Sequence, residues 1–158
     1  MNFYIKQRIF SWADKFSIYN ESGTEAFSVV GEVFSFGKKL HLYDISGCEA
    51  AFVSQKVFSF LPKYHIYRGD TEVAEVKKEF TFFRQEYTVG GLGWKVFGDF
   101  WAHNYVVADG RGTVAEVSKD WFTFGDAYRI SIRNDADVIN ALAVVLVIDA
   151  CIASAENS

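Results

Sequence analysis

An aromatic–hydroxyl–aromatic triplet recurs along this chain at fixed intervals. Phe10-Ser11-Trp12 precedes Phe16-Ser17-Ile18-Tyr19, and Phe34-Ser35-Phe36 precedes Leu40-His41-Leu42-Tyr43. Phe58-Ser59-Phe60 likewise precedes Tyr64-His65-Ile66-Tyr67, and these three units begin 24 residues apart. Phe80-Thr81-Phe82 leads to Tyr87-Thr88-Val89 with one residue inserted, and Phe122-Thr123-Phe124 leads to Tyr128-Arg129-Ile130 at the original spacing. Between them, Phe100-Trp101 followed by Tyr105-Val106-Val107 is a degenerate copy. Six units of this length are one supersecondary element repeated.

Each unit has the chemistry of a β-hairpin. Aromatic and β-branched residues alternate with polar ones on both arms. Short loops such as Gly37-Lys38-Lys39, Leu61-Pro62-Lys63 and Gly125-Asp126 fall inside units. A second set of turns separates the units, among them Glu21-Ser22-Gly23-Thr24, Arg68-Gly69-Asp70-Thr71 and Asp109-Gly110-Arg111-Gly112. Six hairpins predict about twelve antiparallel strands in a single domain of 158 residues. The 28 aromatic residues are expected to supply the core of those hairpins, and the single proline suits a chain of paired strands.

The end of the chain breaks this texture. From Val138 to Ala153 it reads VINALAVVLVIDACIA, interrupted only by Asn140 and Asp149. The run is long for a strand and short of the roughly 20 apolar residues that span a bilayer. No Lys or Arg occurs within the last two dozen residues, where a membrane anchor would carry its charges. The preferred reading is a buried helix over about 137–153, ahead of a tail anchor or a strand, with Asn134 or Asp135 as its cap. A closed barrel of about twelve strands leaves a lumen wide enough for a helix of about 10–12 Å diameter. The two features together predict an all-β closed antiparallel barrel enclosing a hydrophobic C-terminal helix, with closure removing exposed sheet edges.

The repeated triplets resemble those of the LURP-one-related family. So do Ala74-Glu75-Val76-Lys77-Lys78 and Ala115-Glu116-Val117-Ser118-Lys119, and the closing helix. Phe97-Gly98-Asp99-Phe100-Trp101-Ala102-His103-Asn104-Tyr105 is similar to a stretch in its small bacterial members. The likeness covers roughly residues 3–153. It implies a Tubby C-terminal-like architecture, a twelve-stranded barrel around a central helix shared with phospholipid scramblases. Tubby domains bind phosphoinositide headgroups and scramblases act on phospholipids, but no headgroup-binding motif of Tubby maps onto residues here.

Chemical motifs are sparse. His41, His65 and His103 are far apart in sequence, and neither Cys48 nor Cys151 has a partner at metal-ligand spacing. His41 and His65 occupy the same slot of two repeats and read as surface-facing strand residues. Cys48 falls in a turn, Cys151 on the apolar helix as a small hydrophobe. Gly90-Gly91-Leu92-Gly93 follows a strand, yet no helix or Lys-Ser/Thr pair follows it, so it reads as a turn and not a phosphate loop. Asp99, His103 and Asp109 are the one carboxylate–histidine grouping, with nothing in the sequence to fix their geometry. No enzyme, cofactor or metal is expected.

Charge is divided unevenly. The net charge of −4 argues against a dedicated nucleic-acid binder. The loops inside units carry Lys15, Lys38, Lys39, Lys63 and Arg84 against Asp14, Glu86 and Asp126, a net of +2. The loops between units carry Arg68 and Arg111 against seven carboxylates, a net of −5. Equivalent loops of tandem hairpins sit at one end of a barrel, so one end is expected to be basic. Arg8, Lys56, Lys78 and Lys119 precede the triplets and add to it. Lys78 and Lys119 share inward parity with Val76 and Val117, which calls for a bulge or a place at the rim.

The expected function is that of a non-enzymatic module. Lys38, Lys39, Lys63 and Arg84, helped by Lys56 and Lys78, would bind anionic phospholipid headgroups or another phosphorylated ligand. The alternatives are a protein-interaction or scaffold domain, and a small hydrophobic ligand held in the lumen. Unpaired cysteines and the lack of an export signal point to a cytoplasmic protein, peripheral at the membrane where it meets one.

Overall fold

The computed structural model describes residues 1–6, 15–32, 36–81, 84–120 and 127–156. The strands are β1 (Asn2–Lys6), β2 (Lys15–Tyr19), β3 (Glu25–Gly31), β4 (Lys39–Asp44), β5 (Glu49–Gln55) and β6 (Lys63–Arg68). They continue as β7 (Thr71–Glu79), β8 (Glu86–Gly90), β9 (Trp94–Asp99), β10 (Asn104–Asp109), β11 (Gly112–Asp120) and β12 (Ala127–Ile132). Every neighbour pair is antiparallel, and β1 pairs with β12 to close the barrel. The seam is also tied by the Met1 ammonium, which donates to the Ile132 carbonyl at 2.9 Å.

Period-two alternation builds the wall. Ile18, Val29, Leu40, Leu42, Val53, Ile66, Val76, Val89, Val96, Val107, Val117 and Ile130 point inward and are buried. Register shifts recur after Ile18, Leu42, Ile66 and Val107, at equivalent places in four units. Each shift adds one residue to the facing strand, a bulge opposite the point where Tyr19, Tyr43 and Tyr67 follow the inward residue.

A 3-10 turn at Asp135–Asp137 introduces α1 (Val138–Glu156). Asn134 caps it, its side-chain oxygen accepting from the Asp137 amide at 3.2 Å. The helix enters at the end of the barrel that holds the turns between units and runs through the lumen. Ala141 to Ile148 have no solvent exposure at all. The stretch Asp135–Ala155 is long and apolar enough to cross a membrane, but most of it is buried inside the barrel. Its all-round hydrophobicity is the composition of a core element surrounded by sheet. Among the described residues, the helix occupies the lumen that a hydrophobic ligand would need.

The triplets do not lie where the repeat suggested. Phe36 falls in the loop before β4, Phe58-Ser59-Phe60 in the loop between β5 and β6, and Phe80 just past β7. Their rings are exposed and are not core. The inward positions of the first arms are taken by valines that precede the triplets, and pairing ends before the triplets begin. In sequence, aromatic–polar alternation looks the same on a strand and on a loop tip. The triplets Phe10-Ser11-Trp12 and Phe122-Thr123-Phe124, together with Phe34, Phe82 and Arg8, lie outside the described residues.

Candidate functional site

The two barrel ends differ as the loop charges predict, and the helix gives that difference a structural cause. The helix N-terminus, where backbone N–H groups are unsatisfied, lies at the acidic end with Asp135 and Asp137. There Arg133 joins Asp109 at 2.7 Å and Asp137 at 2.8 Å, holding the helix entry to the end of β10. The hydrogen bond from Arg133 keeps the Asp109 carboxyl down at about 2. Arg68 reaches Asn140 on the first turn at 3.3 Å. The helix C-terminus, the negative end of its dipole, lies at the basic end.

A polar collar surrounds that C-terminal end inside the lumen. Tyr64, Tyr87, Tyr105 and Tyr128 project inward from β6, β8, β10 and β12, all at the same position of the repeat. The Tyr128 hydroxyl donates to Asp149, while Tyr64 lies near Ser154 and Tyr87 near Cys151 on the helix. Asp149 Oδ1 and the Tyr105 hydroxyl are buried with no hydrogen-bond partner among the described residues. Burial pushes the Asp149 carboxyl up to about 7 against the lowering effect of Tyr128, and pushes the Cys151 thiol up to about 11. Cys151 is thus a protonated, inert thiol. Phe100 covers the collar, packed edge-on against Tyr87 and tilted on Tyr105. His103 stacks on Tyr128 with centroids 4.9 Å apart. The collar was legible as the tyrosine that opens most second arms, a signal absorbed at first into the core.

The predicted basic residues divide into three groups. Lys38 turns inward and its ammonium donates to the Ser154 hydroxyl, where burial lowers its proton affinity. Lys78 also points inward, in unbroken register with Tyr87 and within electrostatic reach of Cys151. Its place is the rim, with no bulge beneath it, and Lys119 pairs in the same way with Tyr128. These cations complement the helix C-terminus. Lys39 and Lys63 stand on the outer wall, where Lys63 approaches Glu75 at 3.7 Å. Lys56 is exposed at the base of the β5–β6 loop, and Lys39 and Lys56 have no ion pair among the described residues.

Among the described residues, two of the six meet in one concavity. Lys78 and Arg84 line an open cleft of about 400 Å³ with Leu61, Phe80 and Gln85. The Arg84 guanidinium lies 4.5 Å over the Phe97 ring and 3.4 Å from Glu86. Phe80 lines the cleft, and Phe36, Phe58 and Phe60 are exposed in loops at the same barrel end. Phe58 and Phe60 are 87% and 99% exposed, Phe36 and Phe80 71% and 72%. The Phe36 and Phe58 rings are 5.9 Å apart.

His41 and His65 lie on the outer wall, each beside carboxylates contributed by neighbouring segments. His41 bridges Glu32 and Glu49, both at 2.8 Å. His65 pairs with Glu72, and Glu75 stands 3.8 Å away. His65, Glu72 and Glu75 offer three ligand atoms within 4.8 Å of one another, a set that spacing along the chain did not reveal because two strands share it. Asp99 and Asp109 stand at opposite ends of the barrel, so the carboxylate–histidine grouping does not assemble. Gly91 and Gly93 take positive φ in the turn before β9.

A closed twelve-stranded antiparallel barrel threaded by an apolar C-terminal helix defines the structural class, with its polar collar and basic rim. The LURP-one-related family profile matches residues 1–149, and the chain belongs to that family. It is 35% identical over 146 residues to the uncharacterized protein YxjI of Bacillus subtilis (strain 168), covering 92% of this chain and 90% of that one. The solved structure of an Arabidopsis thaliana protein has the same fold, with a TM-score of 0.67 at 19% identity. That match covers 94% of this chain and 90% of the other.

Proposed function

We propose that this protein is a non-enzymatic binding module whose basic barrel end takes an anionic, phosphate-bearing ligand, phospholipid headgroups foremost. The observation that carries the reading is the cleft that brings Lys78 and Arg84 together beside Phe80. A phosphate there would meet two cations, one a forked donor held over an aromatic face. Lys56 and Lys39 extend the positive surface along the same end. Lys38 serves the helix terminus first and contributes to the field more than to contact.

Each cation near an anionic surface contributes on the order of 1 kcal/mol, screened by salt. Glu86 and Glu79 cancel part of this, so the affinity is expected to be micromolar or weaker. Co-sedimentation with anionic and neutral vesicles over a salt series tests it. Anionic vesicles should bind preferentially, the binding should fall as salt rises, and Arg84→Glu with Lys56→Glu should abolish the preference. Equal binding to both vesicle types would overturn the reading.

A further inference from the structure

The β5–β6 loop reads Lys56-Val57-Phe58-Ser59-Phe60-Leu61-Pro62-Lys63, an apolar tip with a lysine at each base. Apolar rings normally leave water on folding, yet Phe60 is almost wholly exposed and Phe58 nearly so. The neighbouring loop brings Phe36 against Phe58, 5.9 Å between ring centroids, and Lys39 follows three residues later. In each of these two loops the rings therefore precede the strand that starts at the lysine, with Lys39 and Lys63 at the strand ends. The carboxylate-rich turns are at the far end of the barrel.

This arrangement matches the chemistry of one occupant. A soluble phosphate would use the cations and leave the rings in water. A bilayer with anionic lipids offers hydrocarbon for the rings and, a few ångströms shallower, negative headgroups for the lysines. Resting on the anionic-ligand reading above, we infer that the Phe36–Phe58–Phe60 tips insert into the interfacial layer of an anionic bilayer while Lys39, Lys56 and Lys63 meet its headgroups. The barrel thus docks end-on, with the acidic turns facing away from the membrane. Insertion adds apolar area to a charge attraction that alone is weak, and makes part of the binding resistant to salt.

The test compares the full chain with Phe58→Ser/Phe60→Ser on phosphatidylcholine–phosphatidylserine and pure phosphatidylcholine vesicles, at low and high salt. A second arm follows the amide resonances during titration with water-soluble glycerophosphoserine. Both side chains are solvent-exposed, so the double variant is expected to keep its melting temperature. It should lose about tenfold of its partitioning per ring removed, most clearly at high salt, with the soluble-headgroup titration unchanged. In Phe60→Trp, the added indole should be quenched by lipids brominated on their acyl chains.

Unchanged vesicle binding by the double variant, or an unquenched indole, overturns insertion and leaves the anionic-ligand reading standing. Binding of glycerophosphoserine without binding of vesicles does the same. Binding to neither overturns both. A double variant that loses self-association in sedimentation, while the full chain ignores vesicles, would assign the rings to a protein partner and overturn the bilayer.

Discussion

Asp149 is the one carboxylate within the apolar run Val138–Ala153, buried in the lumen, and its titration bears directly on how stability depends on pH. Burial raises its carboxyl to about 7, while in the unfolded chain it titrates near its ordinary value. Between those values the folded protein holds a proton that the unfolded chain has released. Stability therefore falls as pH rises from about 4 to 7 and levels off above, a loss of up to about 4 kcal/mol. His41 acts in the same direction. Burial lowers its proton affinity, but hydrogen bonds to Glu32 and Glu49 more than offset this, so its contribution is also lost as pH rises. Asp149→Asn is expected to flatten most of the slope. Chemical denaturation at several pH values checks it, and the variant should gain stability relative to the native chain at pH 8 compared with pH 5. An equal difference at both would remove Asp149 as the cause.

At the scale of elements, two devices join the wall to its contents. The tyrosine collar sets four strands around the polar side chains of one helix, with Tyr128 bonded to Asp149, while the Arg133 pairs fix where that helix enters. Both depend on strands that approach closely, and Gly98 shows how closely. Its φ is 144°, and a Cβ there would stand 2.6 Å from both the Asn104 carbonyl oxygen and the Tyr105 Cα. Gly98→Ala must displace β10 at the collar and is expected to cost about 2–4 kcal/mol. Gly110→Ala, with open space around its added methyl, should change stability by under about 1 kcal/mol. Thermal melts of the two variants measure this directly. The position of the collar was readable from the recurring tyrosine, but its chemistry was not. Which hydroxyl meets Asp149, Cys151 or Ser154 depends on the rise of the helix relative to the wall, and no spacing in one strand encodes that.

The whole molecule is a barrel whose filling and whose charge are coupled. The helix dipole directs its positive end to the turns rich in carboxylates and its negative end to the lysines, so the division into +2 and −5 loops serves the fold before it serves any ligand. A barrel of this girth cannot collapse onto its own side chains, so it depends on the helix. A chain ending at Asn134 is expected to lose cooperative unfolding and dispersed amide resonances, whereas the full chain melts in one transition. A folded barrel without α1 would show that the strands close unaided.

The repeat, the hairpin count and the long apolar run determined the architecture from the sequence alone. Period-two alternation over twelve segments can only be a sheet, and a helix apolar on every face needs protein on every face. Two things were decided by tertiary structure. One is where each strand stops. The aromatic triplets satisfy the alternation of a strand, and only pairing across the barrel shows that Phe36, Phe58, Phe60 and Phe80 fall beyond the last ladder bonds and project into solvent. The other is which cations meet. Lys38 and Lys39 are neighbours in sequence, but strand alternation sends one to the helix terminus and the other to the outer wall. Lys78 on β7 and Arg84 in the loop that follows it share a cleft. Alternation and register act between strands, so the facing of a loop residue is a property of the closed barrel and not of the segment that carries it.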